Sequence, residues 1–299
     1  MKIIRSVLVQ DESESAGDVD TYNLPTNALS HIIFTLKCLN VTDEATLAEV
    51  LARLSKIEVL FKGESIVSIS GSDLYALNCV MFGFEPILTN IVATDNATRA
   101  ITLIIPLGRQ IYDPKECFQP TKKGELQLQV TLSSTETAVD GVIYQIETVE
   151  MLDVEPTQFL KVTTLSKTPT SGIDNDIDLP IGNKLAGILL YSTTVPTGTA
   201  WTTTVDKVRL LLNNVEYNIA NLNWESLHGE LLYRGGYIGD HGAAYGDDKI
   251  VKYGLIDFSP RNIDDLLVDT AGASSVKLRV SAGDANVLRA LPMEICAKR

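Results

Sequence analysis

The chain has 299 residues, 45% of them apolar and 21% charged, a composition that fits one or two globular domains with sizeable cores. Its formal charge is −13, with no long Lys/Arg cluster, which argues against direct binding to nucleic acid, because phosphates need a basic face. No apolar run approaches the ~20 residues that span a bilayer, and "MKIIRSVLVQDESES" turns acidic too early for a signal peptide.

Taken in chain order, the first half reads as short strands. "MKIIRSVLVQ" and "DVDTYNLP" open it, and "LPTNALSHIIFTLK" from Leu24 follows. "TLAEVLARLSK" is the best helix: Leu47, Val50, Leu51 and Leu54 share one face, and Thr46 with Glu49 forms a capping box. In "KIEVLFKGESIVSIS", Ile57, Val59 and Phe61 alternate with Lys56, Glu58 and Lys62, which is a half-buried strand entering a tight turn. A short amphipathic piece, "SDLYALN", comes next. "AITLIIPLGRQIYDP" from Ala100 is a strand leading to a helical turn at "DPKECF", and "ELQLQVTL" and "VIYQIETVEML" are the last two strands.

The second half repeats this order. "FLKVTTLSKT" and "DNDIDLP" match the start, and "LPIGNKLAGILLYS" matches the strand from Leu24. "KVRLLLNNVEYNIA" repeats the hairpin, with Val208, Leu210 and Leu212 inward, and "NWESLH" matches "DLYALN". "VKYGLIDFSPRNIDD" places Arg261 opposite Arg109 and leads to a turn at "NIDDLLVD". "SVKLRVSA" and "VLRALPMEICAK" close the half. The helix alone is replaced, by "PTGTAWTTTVD", which lacks a helical period. Both hairpins break their alternation at one place, where Leu60 and Leu211 point outward, so that face is expected to be covered as well. The expected organisation is a domain at residues 1–153, a linker around "DVEPTQ", and a domain at residues 159–299. Eight short strands per half is the signature of a jelly roll, so the fold class is all-β: two tandem eight-stranded jelly rolls with a few short helices.

With these blocks in view, the chain resembles the major capsid proteins of the double jelly-roll lineage, which includes tectiviruses, corticoviruses, adenovirus hexon and the lipid-containing phages of Flavobacterium. The residues that carry the resemblance are "NLPTNALSHIIFTLK", "KIEVLFKGESIVSIS" followed by "SDLYALN", and the hairpin "GELQLQV…VIYQIETVEML". The resemblance implies a virion protein made in the host cytoplasm, a homotrimer whose six domains fill a pseudo-hexagonal footprint in an icosahedral shell. Implied partners are neighbouring capsomers, penton and minor capsid proteins, and an internal lipid membrane. Lys298 and Arg299 could meet its anionic headgroups, although two charges at a tail are usually just solvated.

The residues themselves offer little chemistry. Cys38, Cys79, Cys117 and Cys296 form no C-x-x-C pair and read as small buried hydrophobes of a chain made in a reducing compartment. His31, His228 and His241 lack metal-ligand spacing. There is no phosphate loop, dinucleotide fingerprint or nucleophile elbow, and "GDHGAAYGDD" lacks a nucleophile, so no catalytic site and no cofactor are expected. Asp174, Asp176 and Asp178 resemble the start of a Ca²⁺ loop, but Leu179 and Pro180 follow where Gly is needed. Asn40 and Asn96 head glycosylation patterns that need a secretory route. Tyr233, Tyr237 and Tyr245, in a Gly/Tyr-rich stretch, are interface candidates with Leu60 and Leu211. The competing readings are a carbohydrate- or receptor-binding tandem β-sandwich, with Trp201 and Trp224 as its aromatics, and a tandem jelly-roll hydrolase.

Overall fold

The computed structural model describes residues 2–13, 15–41, 45–89, 94–135, 138–197, 200–217, 219–235 and 250–299. They form two compact units: residues 2–161 with 297–299, and residues 162–235 with 250–296.

The first unit contains β1 (Lys2–Ser13), β2 (Val19–Asn23), β3 (Ala28–Asn40), α1 (Leu47–Ala52), β4 (Leu54–Phe61), β5 (Glu64–Ile69), α2 (Gly71–Phe82), β6 (Thr98–Pro106), β7 (Leu126–Leu132) and β8 (Val139–Leu152). β9 (Gln158–Thr163) carries the chain onward. Two antiparallel sheets result, in the orders β1-β8-β3-β6 and β2-β7-β4-β5. The second unit contains β10 (Leu165–Lys167), β11 (Asp174–Asp178), β12 (Lys184–Ser192), β13 (Lys207–Leu212), β14 (Val215–Glu216), β15 (Leu222–Asn223), α3 (Trp224–Gly235), β16 (Tyr253–Asp257), β17 (Val268–Asp269), β18 (Val276–Ser281) and β19 (Leu288–Ala297). Its sheets run β10-β19-β12-β16 and β11-β18-β13-β14, with β17 also on β12 and β15 also on β13. The two units therefore share one strand order, and each is a jelly roll.

Local chemistry explains the elements. Period-two alternation buries Ile57, Val59 and Phe61 on β4 and Leu126, Leu128, Val130 and Leu132 on β7. In the second unit Val208 and Leu210 on β13 join Val276, Leu278 and Val280 on β18 in one apolar core. Both hairpins turn through two residues of positive φ: Lys62 (51°) with Gly63 (82°), and Asn213 (53°) with Asn214 (63°). Such turns match the twist of the flanking strands, and Gly and Asn tolerate them best. The Thr46–Glu49 capping box starts α1, but the helix is only six residues long because the chain enters β4 at Leu54. The amphipathic piece expected at "SDLYALN" is instead a twelve-residue helix, α2, buried on nearly every side and ended by Gly83 in the left-handed region. "DPKECF" is not helical: the Asp113 carboxylate accepts the Lys115 N–H and Phe118 bridges to Leu29, which pulls the segment against β3. Its counterpart forms two single 3₁₀ turns, Pro260–Asn262 and Asp264–Leu266.

The units share a less visible feature. β3 and β12 each carry a bulge near their start. Leu29 pairs with Glu150 and His31 with Val149, which leaves Ser30 as the extra residue. Leu185 pairs with Glu294 and Gly187 with Met293, which leaves Ala186 extra. In each unit the residue just before the strand donates its side-chain amide to that buried glutamate: Asn27 to Glu150 at 2.7 Å and Asn183 to Glu294 at 2.6 Å. Glu150 is 7% exposed and Glu294 0%. Gly187 stands where the first unit has His31, and a Cβ there would lie 2.8 Å from the Ile256 carbonyl oxygen, so the position requires glycine.

A second correspondence links helix to sheet edge. On α2, the Asn78 amide donates to the Ile104 carbonyl (2.7 Å) and its oxygen accepts the Ile104 N–H (2.8 Å), which closes part of the outer edge of β6. On α3, His228, 150 residues later, meets the Tyr253 carbonyl of β16 through Nδ1 at 2.8 Å.

Two outcomes are expected. Asn27→Ala and Asn183→Ala each remove an amide donor from a buried carboxylate and lower the unfolding free energy by about 1–3 kcal/mol, measured by urea denaturation; a change below about 0.5 kcal/mol would refute the role of the pair. His31 is buried beside Tyr112, with ring centroids 5.1 Å apart, and Ser30 Oγ lies 2.9 Å from its Nδ1. Burial, with Arg5 nearby, pushes its pKa down to about 4. Folding thus favours the neutral ring. That contribution is complete above the unfolded value near 6.5 and is lost as pH falls toward 4, at about 1.4 kcal/mol per pH unit. Urea titrations between about pH 7 and 5 read this slope, and His31→Gln should flatten it.

Candidate assembly surfaces

The residues flagged in the sequence have different surroundings. Leu211 is buried within the single chain, whereas Leu60 is half-buried. Packing inside the chain already covers Leu211, which removes it from the interface candidates. Tyr233 stands on the outward side of α3, 90% exposed, while Trp224, Leu227 and Leu231 on the other side are buried. Tyr237, Tyr245 and His241 lie outside the described residues.

Asp174, Asp176 and Asp178 do not form a loop. They alternate along β11 with the buried Asn175 and Ile177. Asp176 accepts Arg279 through Nε (2.6 Å) and Nη2 (3.0 Å), with Lys277 at 3.7 Å. Asp174 accepts Ser281 Oγ at 2.6 Å and is paired with Arg209, which also lies 3.6 Å from Glu216. The Ser281 hydroxyl and then Arg209 hold Asp174 below the usual carboxylate range, and Arg279 does the same for Asp176. A straight strand spaces these carboxylates apart, and arginines occupy two of them, so this is a cross-strand ion ladder and not a Ca²⁺ loop. Among the described residues no cluster of His, Cys, Asp and Glu could hold a metal ion.

The equivalent face of the first unit is nearly uncharged. Gln129 donates to Thr21 (3.2 Å), Gln127 to Asn23 (3.1 Å), and Ser65 and Ser68 both to Glu58 (3.1 Å), which also pairs with Lys56 at 2.9 Å. The same sheet in the two units therefore presents an amide and hydroxyl ladder in one and alternating ions in the other.

Several contacts were not visible in the sequence. Arg109 forms a buried fork on Glu116, both Nε distances being 3.0 Å, and Gln158 adds a bond at 3.0 Å. The matching of Arg109 to Arg261 drew attention to the arginine, while the acid seven residues on gave no pattern. Arg299 is not a free basic tail: its guanidinium pairs with Glu64 and its N–H donates to Gln119 at 2.7 Å. Arg299, then Lys161, pull the Glu64 pKa down to about 2. Exposed Phe84 and Ile87, with Pro86, Ala100, Thr102 and Ile104, line a groove of about 370 Å³ beside β6.

Among the described residues, these groups do not come together as a reacting centre. All four cysteines are buried, and burial pushes Cys38 and Cys117 up to about 12, far from thiolate chemistry at neutral pH. Ser30 and His31 touch, but both are buried and the Ser30 oxygen is taken by the Tyr112 N–H at 2.8 Å. His228 is committed to β16.

A scan against protein-family models finds no match, and a search of curated proteins finds none either. Solved structures do match over the whole chain. The STIV MCP is 14% identical with a TM-score of 0.73, and the match covers 99% of this chain and 97% of that one. The major capsid protein P2 from bacteriophage PM2 is 11% identical with a TM-score of 0.69, covering 100% and 98%. The PBCV-1 virus capsid chain is 10% identical with a TM-score of 0.63, covering 98% and 93%. This chain has the double jelly-roll fold that those capsid proteins share.

Proposed function

We propose that the chain is a major capsid protein, a structural component of an icosahedral virion and not an enzyme. The observation that carries this reading is whole-chain similarity to capsid proteins at both ends of the comparison: the match leaves almost none of this chain and almost none of theirs unpaired. A relative used as one module of a larger machine would not show that. The matching strand order of the two units supports a finer reading. Two equivalent blocks per chain, repeated around a three-fold axis, give six similar blocks, so a trimer makes a six-sided tile with closed symmetry. Penton and minor capsid proteins would fill positions such a tile cannot, and a lipid membrane would lie beneath it. Its work is mechanical. Strand ladders and apolar cores make stiff blocks, and interfaces join them.

The test is native mass spectrometry with negative-stain microscopy of the same sample. A species of three times 32.6 kDa with a hexagonal outline is expected. A stable 32.6 kDa monomer at high concentration would overturn the reading.

A further inference from the structure

β1 is the outer strand of the sheet β1-β8-β3-β6, and among the described residues it pairs with β8 alone. It is twelve residues long and exposed on both faces, with Ile3 48%, Ile4 40% and Val7 53% exposed. An open edge of that length is a template for pairing, and folded proteins normally shorten it, cover it or break it. The rest of this molecule does so. The second unit's counterpart, β10, has three residues. The opposite edge of the same sheet, β6, is stoppered at Ile104 by Asn78 and at Ala100 by the Thr89 N–H, 2.8 Å away. β1 is interrupted only in its second half, where bulges flank Val9, while Lys2–Val7 keeps a regular register.

Its charges are sorted along its length. Lys2 and Arg5 lie at one end, Asp11 and Glu12 at the other, and Ile3, Ile4 and Val7 lie between or beside them. Neighbours hold several of these groups in place: Arg5 is paired with Glu147, Asp11 with Lys37, and Glu12 accepts the Tyr22 hydroxyl at 2.9 Å. A parallel partner of the same sequence would set like charges side by side. An antiparallel one centred on Val7 sets Lys2 against Glu12, with Val7 meeting its own copy at the centre and the bulged half of one strand lying along the regular half of the other.

We propose that β1 pairs antiparallel with β1 of a second copy of this chain, about a two-fold axis near Val7. The contact is isologous, so it closes on itself and does not propagate. The inference rests on the capsid reading for its purpose, since such a contact would join one capsomer to the next.

A Val7→Cys variant tests it, because residue 7 meets its own copy at the axis and the four native thiols are buried. Mild oxidation of assembled protein should give a covalent dimer on a non-reducing gel. Val19→Cys, exposed on β2, should give none. Lys2→Glu should weaken the association about tenfold at low salt, and Lys2→Glu with Glu12→Lys should restore it. Particles of joined capsomers that form with Val7→Cys uncrosslinked would overturn the proposal and leave the capsid reading standing, as would equal crosslinking at Val19→Cys. A chain that stays monomeric would overturn both.

Discussion

A carboxylate taken out of water needs hydrogen-bond donors, and each unit sets one such carboxylate against a side-chain amide. Glu150 and Glu294 sit opposite the residue that precedes the bulge, and the amide just before the strand reaches each of them. Slipping β3 or β12 by one residue would carry the amide away and leave the carboxylate buried without it, at a cost of several kcal/mol. The same slip would turn every inward side chain outward. Apolar packing and the polar pair thus specify one register, and the bulge is fixed in place by both. Ser30 and Ala186 are the extra residues because the lock lies immediately before them.

The helix that follows each hairpin depends on this register. Asn78 and His228 find a main-chain partner on β6 and β16 only if those strands keep their positions against β3 and β12. The two side chains differ, one amide and one imidazole, but the requirement is the same. A helix lying beside a sheet edge needs a polar group that answers the edge's unpaired backbone. In the first unit that closure leaves β1 as the long open edge.

Much of the architecture was legible because strands write their burial every second residue. Ile57, Val59 and Phe61, or Leu126, Leu128 and Val130, announce a half-buried strand with no further help. Repetition of the blocks in one order then gave two units of one plan. What stayed hidden depends on contacts between distant residues. Period two cannot show a bulge, since Ser30 and Ala186 are as ordinary as their neighbours. No pattern in the last strand of each half marks Glu150 or Glu294 as buried. α2 was underestimated because a helix buried on nearly every side has little amphipathic period to detect. The aspartates of β11 resembled a metal loop because the arginines that hold two of them lie about 35 and 103 residues away in sequence. Leu60 and Leu211 did mark unusual positions, but the signal could not say whether cover comes from the same chain or another.

The two outer ladders limit how copies can meet. The ion ladder of the second unit and the amide ladder of the first are already satisfied within the chain. Burying either against a neighbour would cost desolvation that partners of equal quality would only recover. Each chain also carries −13, so broad contact between like faces is opposed at low ionic strength and eased as salt screens it. Surfaces that gain from being covered are the apolar ones: β1 with its sorted charges, Phe84 and Ile87 at the groove, Trp201 beside its turn, and Tyr233 on α3. These four lie on an edge, on loops and on a helix, while Val19 on β2 and Val215 on β14 are also exposed. On the proposed capsid reading, copies would meet through these apolar edges, loops and helix faces and would leave the two ladders in water.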